Sequence, residues 1–351
     1  MNTVVNKNHK SAYQKKEVNG RYILSLYSCL IIIALVFSFD VLFFGQALRK
    51  ASPVMIEFTA WFNAFFNFPH IICSLLLFGS RENIKFSRKK LIHFGIASGI
   101  FLLIFLFLNV LDDLYFNVSI EVVTLIALLW TIKHVVNQQF SIGLVFLKKK
   151  ETWQYSLWRW AGLALSCLVF LGIYAKVYTS YFHYLYGVFE FLTEHFLAVL
   201  VMYLGLSILA YRSVVDEGAR LGLSMILWNS FMVALSYGLY AKSYFILAIL
   251  GPRIVHDLTA FHFYSTYIAN RSESKNSIPE KKQVMFHVFY RPVTRYILFS
   301  MAGGAFFMWS FKNYELMDIY HGMAALHFYI ESFFWKRTSP SRDYIPMKKF
   351  S

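Results

Sequence analysis

Long apolar runs separated by short polar connections make up almost the whole chain. A helix needs about 20 largely apolar residues to cross the hydrocarbon core of a membrane. Segments of that size lie at 22–48, 55–78, 91–111, 119–145, 157–180, 187–211, 220–241, 244–268, 293–311 and 316–335. Because backbone polar groups in lipid must be satisfied within the segment, these are predicted to be helices. The pattern therefore predicts an all-α fold, a polytopic transmembrane bundle of about ten helices.

Basic residues mark one end of these segments. Lys and Arg near helix ends concentrate on the cytoplasmic side of membrane proteins. If the N-terminus is cytoplasmic, the cytoplasmic connections hold the basic residues of 81–90, 148–150, 212–220, 271–295 and 336–349. The opposite connections hold only Arg49, Lys50, Lys176, Lys242 and Lys312. This asymmetry predicts an even number of crossings, with both termini in the cytoplasm.

The polar ends divide the chain into three parts. We expect a basic cytoplasmic tail at 1–21, a transmembrane helical domain at 22–335 and a basic cytoplasmic tail at 336–351. The longest internal polar stretch, 271–283, is too short to be a domain and fits a cytoplasmic loop.

Composition and charge agree with a membrane protein. The chain is 58% hydrophobic and 15% charged, whereas a soluble domain has about 25% charged residues. The excess of 34 Lys and Arg over 19 Asp and Glu would indicate nucleic acid only if the basic residues shared one wet surface. They form short clusters instead, which suit the anionic cytoplasmic leaflet. Membrane lipids are the expected partners, nucleic acid is not, and a bacterial inner (plasma) membrane is the expected location.

Histidines are the informative polar residues within the apolar segments. Seven fall there: His70, His134, His195, His256, His262, His321 and His327. All lie on the even-numbered segments, which run from outside to inside in the predicted topology, and the odd-numbered segments carry none in their cores. Ionisable groups are costly in a membrane unless they face the bundle interior and find partners. The even-numbered helices are therefore predicted to meet around a functional centre.

A short repeat contains four of these histidines. HDLTAFHFY at 256–264 and HGMAALHFY at 321–329 match at both histidines and at the closing Phe-Tyr, which indicates a duplicated helix pair. Residues six apart on a helix differ by about 120° in azimuth and ~9 Å along the axis. Two such histidines cannot hold one ion together, so a site would collect ligands from several helices.

Depth, counted back from the predicted cytoplasmic ends, separates the histidines into two groups. His70, His262 and His327 are expected in one layer. The second layer, a turn or two further out, would hold His134, His256, His195 and His321.

Carboxylates at helical spacing strengthen a metal-site hypothesis. Glu331 follows His327 by four residues, and Glu194 adjoins His195. A ligating imidazole normally donates its other N–H to a carboxylate, carbonyl or water. Imidazole with carboxylate suits iron, zinc or copper, and iron with open positions suits oxygen chemistry. The candidate ligands are thus the seven histidines with Glu331 and Glu194. Haem is less favoured, because no helix carries histidines 13 or 14 apart.

Three stretches carry a resemblance to known proteins. NFPHI at 67–71, KHVVNQQFSIGL at 133–144 and HFYIESFFWK at 327–336 resemble a pattern of His-rich bacterial multipass membrane proteins of unknown function, which implies no activity. A looser similarity is to membrane carotene-cleaving dioxygenases, which place iron-binding histidines on several helices. The number and context of the histidines differ here, so no residue role is carried over.

These observations leave three hypotheses. The preferred one is a membrane-embedded metal-dependent oxidoreductase that acts on a lipid-soluble substrate. The second is a transporter or proton-coupled channel in which the histidines relay protons. The third is a non-catalytic scaffold, in which the histidines serve as interhelical hydrogen bonds.

Overall fold

The computed structural model of the chain describes residues 15–51, 67–78, 81–111, 113–147, 150–177, 186–215, 220–275, 293–310, 317–334 and 339–346. Across these ranges the chain is helical and forms no β-strand. The predicted all-α class is therefore confirmed for the described residues.

The helices follow the apolar segments closely. The N-terminal part contains α1 (Gly20–Leu26), α2 (Ser28–Phe43), α3 (Ala47–Ala51), α4 (Phe68–Phe78), α5 (Arg81–Leu111), α6 (Asp113–Leu147) and α7 (Trp153–Val177). The C-terminal part contains α8 (Tyr186–Glu194), α9 (Phe196–Arg212), α10 (Arg220–Ala241), α11 (Phe245–Lys275), α12 (Val293–Ser310) and α13 (Met317–Phe334). A 3-10 helix, Pro340–Tyr344, follows.

Three helical stretches among the described residues are long and apolar enough to cross a membrane. They are Gly20–Phe43, Trp153–Ile173 and Arg220–Ala241, and α8 with α9 adds a fourth if this pair, bent by 77°, is one crossing. Large apolar side chains on the first are strongly exposed, as at Leu42 (71%) and Phe43 (70%), which is typical of a surface that faces lipid. These stretches indicate a membrane location.

Two predicted segments are interrupted. The segment 22–48 ends early because Gly45 and Gln46 adopt left-handed backbone conformations, with φ of 56° and 63°, which stop a helix. The Asp40 carboxylate accepts a hydrogen bond from the Leu48 backbone N–H at 3.1 Å and fixes this turn. The segment 187–211 breaks at His195, whose φ of −96° and ψ of 25° lie outside the helical range.

Aromatic packing forms the core between α6 and α7. Phe140 and Trp158 lie with ring centroids 4.5 Å apart, and Tyr155 lies 5.1 Å from Trp158. All three side chains are buried. The Tyr155 hydroxyl donates to the Phe140 carbonyl at 2.7 Å, so this buried polar atom is satisfied.

Close helix approach fixes α10 against α6. A Cβ atom at Gly222 of α10 would lie 2.6 Å from the backbone nitrogen and 2.7 Å from the Cα of Leu147. Small residues let helix backbones approach in this way. A buried polar contact joins the same helices, since the Asn229 side-chain amide donates to the Gln139 carbonyl at 3.2 Å.

The two ends of the described chain meet beside the C-terminal part of α11. The Val18 backbone N–H donates to the Pro346 carbonyl at 2.8 Å. The Asn270 side-chain amide donates to the carbonyls of Lys16 and Tyr344, each at 2.8 Å. Residues near both ends of the chain therefore lie at the same end of the bundle.

Candidate metal centre

Four helices bring four imidazoles together. His70 of α4, His256 of α11, His134 of α6 and His327 of α13 form a closed ring in that order. Successive ring centroids lie 4.8, 5.0, 5.3 and 4.6 Å apart. His70, His256 and His327 are at most 2% exposed, so the cluster is closed off from water.

Glu331 supplies a carboxylate to this ring. It lies one turn after His327 on α13, and its side chain is 2% exposed. Oε2 lies 3.1 Å from Nε2 of His134. Oε1 accepts a hydrogen bond from the Tyr264 hydroxyl, so one oxygen is anchored and the other faces the imidazoles.

A second carboxylate, Asp257, lies on the other side of His70. Its Oδ1 is 3.8 Å from Nδ1 of His70 and 4.0 Å from Nε2 of His256. The residue is fully buried, and neither of its oxygens has a hydrogen-bond partner within the described part of the chain. A buried carboxylate without partners is costly.

Ser74 sets the protonation of His327. Its hydroxyl donates to the Ile71 carbonyl at 2.8 Å, so its oxygen accepts the hydrogen bond from Nδ1 of His327. Nε2 of His327 then carries a lone pair. That lone pair points at Nε2 of His70, 2.9 Å away.

Ligand atoms in this cluster are close enough for one ion. One atom from each of His70, His134, His327 and Glu331 lies within 4.8 Å of all the others. Metal–nitrogen bonds of about 2.0–2.1 Å separate two ligands of one ion by roughly 3–4 Å. Small side-chain rotations therefore suffice for coordination. His70, His256 and Asp257 form a second group that meets the same criterion.

The structure brings five of the predicted ligands together: His70, His134, His256, His327 and Glu331. The prediction of two layers is wrong, because His134 and His256 lie in one ring with His70 and His327. Depth was counted from a cytoplasmic end at 268, whereas α11 continues to Lys275.

The remaining predicted ligands lie elsewhere. The half-buried ring of His262 packs on Tyr22 with centroids 4.6 Å apart. His195 and Glu194 are exposed at the break between α8 and α9, where the His195 ring stacks on Phe191 at 4.3 Å. His321 lies on α13, and its side chain falls outside the described set.

Sequence reasoning missed Asp257, Ser74 and Tyr264. Asp257 adjoins His256, Ser74 follows His70 by four residues, and Tyr264 closes the first copy of the repeat. These spacings were available signals. The repeat copies contribute non-equivalent histidines, the first of one copy (His256) and the second of the other (His327), which sequence identity alone does not indicate.

The sequence matches no protein-family model, no curated protein and no solved structure. The fold and the cluster together define a helical protein with apolar helices of membrane-crossing length and a buried histidine–carboxylate centre. Its function is therefore argued from the geometry of that centre.

Proposed function

We propose that the chain is a polytopic membrane protein that holds a metal ion at the junction of α4, α6, α11 and α13. Its function is that of an oxidoreductase, with a lipid-soluble substrate as electron donor and dioxygen as electron acceptor. The observation that carries this proposal is the buried set of three imidazoles and one carboxylate, His70, His134, His327 and Glu331, with ligand atoms within 4.8 Å of one another.

Charge supports an ion at this junction. Glu331 and Asp257 lie among apolar helices, and neutral imidazoles do not compensate two carboxylates. Two uncompensated negative charges in a dry interior are strongly unfavourable. A divalent cation offsets them, and it uses the ring nitrogens that face the cluster.

The ligand types favour iron, with zinc and copper as alternatives. Three imidazoles and one carboxylate leave coordination positions open for a co-substrate on a metal that prefers five or six ligands. Iron with open positions is suited to dioxygen activation. The enclosing helices are apolar, so a lipid-soluble substrate reaches the centre without the desolvation cost that a charged one would meet.

The ten-crossing topology, with both termini in the cytoplasm, is part of the proposal. It is supported by the hydrogen bonds that join 16–18 and 344–346 at one end of α11. Asn83, at the start of α5, lies there too, because its Oδ1 accepts from the Ser341 hydroxyl at 2.8 Å. Two chain ends and one basic connection on the same side fit an even number of crossings.

Ionisable residues explain why some of the proposed crossings have modest hydropathy. α11 carries Arg253, His256 and Asp257, and α13 carries His327 and Glu331. Such residues lower mean hydropathy strongly. They are buried at the helix junction, so these helices need not face lipid with their polar side.

The test is metal content and oxygen uptake of the detergent-purified full-length chain. We expect about one or more transition-metal ions per chain, and dioxygen consumption with a membrane lipid extract that a chelator abolishes. Glu331→Gln and His134→Gln should lose both, and His93→Gln, an exposed histidine of α5, should keep both. Purified protein without stoichiometric metal contradicts the proposal.

Proton transport is the second candidate, and one contact favours it. Nε2 of His70 and Nε2 of His327 lie 2.9 Å apart, a distance at which one proton can be shared. A relay predicts pH-driven proton flux in vesicles that His327→Gln abolishes and His93→Gln preserves. Flux without bound metal would support the relay over the oxidoreductase.

A further inference from the structure

We propose that the centre is binuclear, with a second metal ion bound by Nδ1 of His70, His256 and Asp257, so that the His70 imidazole bridges two ions. This inference rests on the proposed function and adds a site to it. The second site has two imidazoles and one carboxylate, a ligand set that binds divalent transition metals and leaves positions open.

His70 lies between the two groups of ligands. Its Nε2 is 2.9 Å from Nε2 of His327 in the first group. Its Nδ1 faces the Asp257 carboxylate in the second group. The two nitrogens of one imidazole point in divergent directions, so a single ring offers one ligand atom to each side.

The distances in the second group exclude hydrogen bonds and suit an ion. Nδ1 of His70 is 3.8 Å and Nε2 of His256 is 4.0 Å from Oδ1 of Asp257. Hydrogen bonds of this type need about 2.7–3.2 Å. Ligands on opposite sides of an ion, each about 2.0–2.2 Å from it, are separated by up to roughly 4.2 Å.

Unsatisfied atoms converge on this space. Nδ1 of His70 and both oxygens of Asp257 have no hydrogen-bond partner among the described residues. All three atoms are buried, and buried polar atoms are normally satisfied. One ion in contact with them would satisfy all three. Its binding removes the ring proton of His70, which is released to solvent, because a bridging imidazole must be deprotonated.

Asp257 as a simple hydrogen-bond partner of His70 is the competing explanation. In that arrangement His70 keeps its Nδ1 proton and binds one ion through Nε2. It predicts one ion per chain and leaves His256 without a role. The 3.8 Å separation and the second unsatisfied carboxylate oxygen favour the binuclear site.

The experiment measures metal ions per chain in the detergent-purified full-length protein, with Asp257→Asn as the main variant. We expect two ions in the wild type and one in Asp257→Asn. The matched control is Asp40→Asn, which changes a buried aspartate far from the cluster in sequence, and it should keep two. His256→Gln, which should also retain one ion, provides a second variant if Asp257→Asn does not purify.

Copper substitution gives an independent readout. Two Cu²⁺ ions bridged by imidazole are magnetically coupled, so the wild type should show a coupled electron paramagnetic resonance spectrum. Asp257→Asn or His256→Gln should show an ordinary single-ion spectrum. An uncoupled single-ion spectrum with one ion in the wild type would overturn the second site and leave the proposed function standing. No bound metal in the wild type would overturn both.

Discussion

Ser74→Ala removes one hydroxyl and should weaken metal binding without removing a ligand. The Ser74 hydroxyl donates to the Ile71 carbonyl and therefore accepts from Nδ1 of His327. This contact holds the His327 ring in the orientation that aims Nε2 at the cluster. Alanine leaves the Nδ1 proton unpaired and allows the ring to rotate or change tautomer.

The expected loss follows from the role of such partners. Replacing a group that orients a ligating histidine lowers metal affinity by about 10–100-fold, equivalent to roughly 1.4–2.7 kcal/mol. The assay is a competitive titration of the purified protein with a metal-binding indicator. Ser166→Ala is the matched control, because Ser166 is also buried and donates to a carbonyl of its own helix, that of Gly162, at 2.8 Å.

A Ser74→Ala protein that binds metal within twofold of both wild type and Ser166→Ala would refute the assigned orientation of His327. Equal weakening in both variants would also refute it, because the effect would then come from general helix destabilisation. Only selective loss in Ser74→Ala agrees with the geometry.

Three further predictions concern the fold. Gly222→Ala should destabilise the protein by about 1–3 kcal/mol in detergent unfolding, because the new Cβ meets the Leu147 backbone at 2.6 Å, whereas Gly205→Ala, with nothing within 4 Å, should have little effect; equal effects would contradict the close helix contact. Tyr27→Phe should cost about 0.6–1.7 kcal/mol by loss of its 2.7 Å bond to Asn229, and no loss relative to an exposed Tyr→Phe change would refute that role. Reporter fusions after residues 150 and 346 should be cytoplasmic and one after 242 external; the reverse or a mixed result would overturn the topology.

Much of the architecture is legible from the sequence because burial in lipid requires long apolar helical segments. The segments 220–241, 293–311 and 316–335 lie within two residues of α10, α12 and α13. The breaks at Gly45 and His195 were not predicted. Each depends on backbone conformation and local packing, and hydropathy averaged over about 20 residues does not register such short features.

The candidate site was predicted in part. Intramembrane histidines on even-numbered segments pointed to His70, His134, His256 and His327, which lie together. Azimuth and axial offset decide which histidine of a pair faces a neighbouring helix, and both depend on where each helix ends. An error of seven residues at the end of α11 was enough to place His262 at the wrong depth.

The most direct test of the central claim is X-ray absorption spectroscopy of the metal bound to the purified full-length protein. The proposed centre predicts nitrogen ligands at about 2.0–2.1 Å, with outer-shell scattering from two to three imidazoles per ion. This imidazole scattering should decrease in His134→Gln and remain unchanged in His93→Gln. A spectrum with oxygen ligands alone and no imidazole scattering, or a protein without bound metal, would contradict the claim.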